Sequence, residues 1–153
     1  MTPDNEEAPL KLAALDADDL SILSATLQDA ILQVGEMHYL PVDHRFAVTL
    51  NRFDWIGATK PPFRRRQSAL VLDRVAAVRS QNIKRGADEA VLELLAIEFE
   101  PGDTPSGQTN LVFAGGGAVQ LEVECIEARL ADLGPAWETQ SQPAHNLDDE
   151  KSE

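Results

Sequence analysis

Three consecutive glycines, Gly115 to Gly117, stand between "TNLVF" and "AVQLEVE" in this chain. A glycine loop that cradles phosphate must lead straight into a helix, whose free N–H groups hold the anion. Here Val119, Leu121 and Val123 alternate with Gln120, Glu122 and Glu124, which is the period of a strand. The two glutamates would also repel a phosphate. Glycines that accept a positive φ suit a tight hairpin, so the run predicts a turn between two antiparallel strands. A parallel sheet is disfavoured because no crossover helices separate the strands.

The rest of the chain fits the same architecture. Leu20, Leu23, Leu27 and Ile31 recur at helical spacing in "DADDLSILSATLQDAIL", with Asp16 placed to cap the helix and Gly35 to stop it. The period then changes to two. "EMHYL" and "RFAVTLNRF" flank "PVDH" and read as a hairpin, with Phe46, Val48 and Leu50 on the buried face. Phe53 and Trp55 fall out of that phase, through a bulge or by lying on the other face. "IGATKPPFRRR" reads as a loop, "SALVLDRVAAVRSQNI" as one bent strand or two short ones, and "AVLELLAIEFE" as a strand. Ile126, Leu130 and Leu133 share a helical face before Gly134–Pro135, which predicts a closing C-terminal helix.

At 153 residues the chain has the size of one domain. The expected division is a disordered start over 1–9, a globular domain over 10–137 and a disordered acidic tail over 138–153. Asp and Glu number 26 against 13 for Lys and Arg, a net charge of −13, which argues against nucleic acid and anionic membranes as partners. The acidic start lacks the basic and apolar regions of a signal peptide, and a single cysteine, Cys125, fits a reducing compartment. The cytoplasm is the expected location.

No local catalytic motif is present, which points away from an enzyme. Cys125 lies among Glu122, Glu124 and Glu127 rather than the cations that a reactive thiolate needs, so it reads as structural. His38, Asp43 and His44 lack the further ligands of a zinc site, and no metal or cofactor is expected. The charge distribution says more. From Arg45 to Arg85 ten basic residues face only Asp54 and Asp73, a balance of +8; the remainder holds 3 basic against 24 acidic residues, a balance of −21. Cross-strand pairing between these regions is the favoured explanation. The candidate binding surface is the basic centre with its aromatics: Phe53, Trp55, Phe63, Arg64, Arg65 and Arg66. Its arginines, following two prolines, are expected on an exposed loop.

"LKLAALDADDLSILSATLQDAIL", "LNRFDW", "VLDRVAAVRSQNI", "LVFAGGGAVQLEVECIEARLADLGPAW" and "SQPAH" resemble an alphaproteobacterial family of unknown function, DUF2948. The resemblance covers about Leu10 to His145 and implies a small bacterial cytosolic protein, with no site residues to carry over. The expected fold class is α+β: six to seven short antiparallel strands in a bent sheet or pleckstrin-homology-like barrel, with an N-terminal helix and a closing C-terminal helix. The alternative is a plain antiparallel sheet with both helices on one face. The expected function is a noncatalytic protein-interaction module whose partner presents an acidic surface; the alternative is a small-ligand binder or enzyme whose site forms only in three dimensions. The choice between monomer and homodimer stays open.

Overall fold

The computed structural model describes residues 9–55, 63–84 and 86–139. The chain start over 1–8, the proline pair with Lys60, Arg85, and the tail from 140 with His145 lie outside the described residues. The one α-helix among the described residues is α1 (Ala17–Thr26). It begins where Asp16 accepts a hydrogen bond from the Asp19 N–H at 2.8 Å, with Asp18 and Asp19 at the positive end of the helix dipole. It stops well before Gly35. Asp29 turns left-handed at φ 69°, and Ile31 already belongs to a strand. Leu20, Leu23 and Leu27 are buried, so the apolar stripe is as expected up to that point.

Everything else that is regular among the described residues is β, apart from two 3-10 turns. The strands are β1 (Lys11–Ala14), β2 (Ile31–Gln33), β3 (Met37–Leu40), β4 (Arg45–Phe53), β5 (Phe63–Asp73), β6 (Val75–Gln81), β7 (Val91–Pro101), β8 (Gly107–Phe113), β9 (Ala118–Val123), β10 (Ala128–Asp132) and β11 (Trp137–Thr139). They form one sheet in the order β1-β10-β5-β4-β2-β7-β8-β9-β6, with β11 beside β5 and β3 beside β4. All the pairings are antiparallel.

The glycine run turns the β8–β9 hairpin, with Gly115 at φ 88° and Gly116 at φ 95°. β3 and β4 form the expected hairpin around a 3-10 turn at Pro41–Asp43, and His44 returns the chain at φ 53°. "SALVLDRVAAVRSQNI" resolves into the end of β5 and all of β6, which part at Arg74 with φ 64°. A second break, between β9 and β10, faces the first. The Asp73 N–H donates to Glu127 O at 2.9 Å, and the Glu124 N–H donates to Arg74 O at 3.0 Å. Both strand pairs turn the same corner, and the sheet folds over onto itself.

The enclosed core joins Phe46, Leu50 and Leu72 of one half to Leu94, Leu111 and Leu121 of the other. Each such fully buried side chain stabilises the fold by about 1.5–3 kcal/mol. α1 packs across β1 and β7, and its Ser24 hydroxyl accepts the Ile97 N–H at 2.9 Å.

Two features of the expected fold are overturned. The described residues are mostly β, with 11 strands in place of six or seven, and 126–133 do not form the C-terminal helix. The segment expected to be helical is β10, so neither the pleckstrin-homology-like barrel with its closing helix nor a sheet carrying two helices describes the molecule. The reason is visible in the pairing. Ile126, Ala128 and Leu130 alternate as well as they repeat helically, and all three are buried. As a strand, this segment pairs with Ser68–Leu72 of β5 on one side and with β1 on the other. A helix would leave the edge of β5 bare over that stretch. Leu133, assigned to the helical face, is 56% exposed.

Candidate functional site at an apolar seam

The six residues of the expected binding surface sit on β4, on β5 and just beyond β4. "FRRR" is strand, not exposed loop: Phe63 to Arg66 open β5, and Trp137–Thr139 pair with Phe63–Arg65. Phe53 is 0% exposed, on the face opposite Leu50, so its change of phase places it on the other side of the sheet. Trp55 packs edge-on to Phe53 at 4.7 Å between ring centroids, and its indole N–H donates to Gln28 O at 3.0 Å. Phe63 lies 6.1 Å from Phe53. The Arg65 guanidinium lies over the Phe53 ring at 5.6 Å and donates to the Asn51 and Asp29 carbonyls. Burial pushes the Arg65 pKa below its ordinary value, against the pull of Asp29 and Glu93. Arg64 is half-buried, and Arg66 is buried.

Arg66 belongs to a buried polar cluster. The inward row of β4 runs Phe46, Val48, Leu50, Arg52, and the facing row of β5 runs Leu72, Leu70, Ser68, Arg66. Two arginines therefore meet directly across the strands at the end of an apolar core. Asp132 of β10 pairs with both. Its carboxylate takes both Arg52 Nε and Nη2 at 2.9 Å, the Ser68 hydroxyl at 2.7 Å and the Leu10 N–H at 2.7 Å, with Arg66 Nη1 3.8 Å away. Burial pushes this carboxyl pKa up, but the Arg52, Leu10 and Ser68 bonds outweigh it and hold it below the usual carboxylate range.

Other cations of the basic centre are paired too. Arg45 and Arg129 share Asp73, Arg74 meets Glu127, and Arg79 meets Glu122 across β6 and β9. Burial raises the Asp73 pKa, and the bonds from Arg45 and Arg129 bring it below its ordinary value. His44 lines the same charged corner, but no group of three His, Cys, Asp or Glu among the described residues could hold a metal ion. Cys125 is half-buried in the β9–β10 turn of the same corner, between Glu124 and Glu127.

A different surface is left open. β6 ends the sheet and pairs only with β9, while β3 pairs only with β4. Among the described residues each presents one unpaired backbone edge. Between them lies a cavity of about 330 Å³, lined by Val34, Met37, Tyr39, Phe46, Val78 and Ile83, with Val119 and Ser80, and with Lys84 at its rim. At one end the seam is sealed: the Tyr39 hydroxyl donates to Val75 O at 3.1 Å, and the Val75 N–H donates to His44 O at 2.9 Å.

Residues 10–145 match the model of a family described as "Protein of unknown function (DUF2948)". The chain belongs to that family. No curated protein and no solved structure matches it. In this DUF2948 chain the seam escapes sequence reading because its residues are scattered over five elements. The available signal is weak: Met37, Tyr39 and Val78 are apolar strand residues that stay half-buried.

Proposed function

We propose that the chain is a noncatalytic protein-interaction module that holds its partner at the seam between β3 and β6. The observation that carries this reading is the pairing of an apolar cavity with two strand edges left unpaired among the described residues. Unpaired edges are templates for another strand, and natural sheets usually cover or blunt them. The cavity volume is at the lower end of the range for ligand pockets, roughly 300–1,000 Å³, which suits a few side chains of a peptide. Among the described residues that line it, no nucleophile, base and orienting group come together. The net charge of −13 favours a protein partner over nucleic acid or an anionic lipid surface.

Panning a randomised heptapeptide display library against the full chain tests the proposal. Peptides should be enriched that lose more than tenfold in affinity on Val78→Arg, which fills the seam with a charge. A library that yields no such Val78-dependent binder overturns the reading.

A further inference from the structure

Resting on that reading, the geometry points to an extended partner segment that adds as a strand along β6, with an apolar side chain in the seam and a carboxylate at the Lys84 end. The backbone selects a peptide. A row of unpaired N–H and C=O groups is satisfied by another backbone, whereas an acyl chain or a small apolar molecule supplies none of those bonds. β6 is the better template because its free edge beyond Val75, over 76–81, is longer than the 4 residues of β3. Its side chains alternate. Val78 and Ser80 line the seam, while Arg79 points to the opposite face and meets Glu122 at 3.5 Å. An added strand therefore places every second side chain against Val78, Met37 and Phe46, where apolar groups are favoured.

Charge sets the polarity of the segment. The seam is closed at the Tyr39–Val75 end, so the segment enters past Ile83 and Lys84. Lys84 is exposed and forms no ion pair among the described residues, whereas Arg45, Arg52, Arg66, Arg74 and Arg79 all do. Among the described residues Lys84 is also the one charged group lining this cavity. A carboxylate on the entering end of the segment would meet it. The net charge of the chain opposes an acidic partner at long range, but screening over about 8 Å at physiological salt leaves the local contact in control.

The same heptapeptide library separates this inference from the reading beneath it. Selected peptides should carry alternating apolar residues with Asp, Glu or a free C-terminal carboxylate at one end. Lys84→Glu should weaken them about two- to fivefold, the size of an exposed ion pair, and a fresh selection on that variant should shift to Lys and Arg. Binding should slow amide hydrogen exchange along residues 76–81. Val78-dependent peptides with no acidic preference, or protection at 37–40 without 76–81, would overturn this inference and leave the docking seam standing. Absence of any Val78-dependent peptide would overturn both. Ser80→Arg, at an exposed position in the same seam, repeats the test if Val78→Arg fails to fold.

Discussion

Arg52 and Asp132, separated by 80 positions in the chain, form a two-point ion pair inside the sheet, with both N···O distances at 2.9 Å. The Asp132 side chain is 0% exposed and that of Arg52 is 3% exposed. The pair ties β4 to β10, and the Leu10 N–H on the same carboxylate extends the tie to the residue before β1. Removing one member of a buried pair leaves the other desolvated and unpaired. Asp132→Ala should therefore cost about 3–5 kcal/mol in urea unfolding. Asp103→Ala, on an exposed turn, should stay within about 0.5 kcal/mol.

The same carboxylate gives a pH dependence with a definite sign. Its folded pKa lies below the ordinary value, so the folded state binds fewer protons than the unfolded chain in the acid range. The stabilisation is complete above about pH 4, the usual aspartate pKa, and is lost as pH falls through the depressed folded value. Asp73 acts in the same direction. Ser68→Ala removes one bond to the ionised form and should move the acid unfolding midpoint to higher pH, as followed by far-UV circular dichroism. An unchanged midpoint would show that the Ser68 bond does not favour the charged carboxylate.

At the β8–β9 turn, Gly115 and Gly116 hold φ values that side chains resist, although a Cβ at either would meet no atom within 4 Å. Gly115→Val or Gly116→Val should thus cost about 1–3 kcal/mol through backbone strain alone. Gly134, equally open and with no positive φ, should accept valine with little change in the melting temperature.

The strand assignment of 128–132 separates two leucines that a helix would have placed together. Leu130 is buried between the sheet halves, and Leu130→Ala should cost about 2–5 kcal/mol. Leu133→Ala should change stability by about 0.5 kcal/mol or less. Equal, large losses at both positions in denaturant titrations would restore the helix.

Periodicity and turn chemistry made several elements legible from residues alone. Asp16 marked the start of α1, the glycines marked the β8–β9 turn, and the change of period after α1 marked the β3–β4 hairpin. Four strands escaped, and β10 among them read as a helix. β1, β2 and β11 have only 3 or 4 residues each, too few to show a period, and they exist because neighbouring strands offer edges to pair with. The candidate surface fared differently residue by residue. The change of phase at Phe53 was legible and left the second face of β4 as one of two readings, whereas nothing local reveals that Asp132 will sit beside Arg66.

What the sequence determined by itself was local: where α1 begins, where the β3–β4 and β8–β9 turns fall, which residues alternate, and that the basic centre had an acidic surplus elsewhere to pair with. Those follow from backbone sterics, capping and composition, which act over a few residues. The tertiary structure decided whether 126–133 became helix or strand, which arginine met which carboxylate, and where an apolar seam stayed open. Each of those depends on an edge or a charge brought from a distant part of the chain. The segment around Ala128 and Leu130 satisfies both periods, and it became a strand because β5 and β1 could both hydrogen-bond to it.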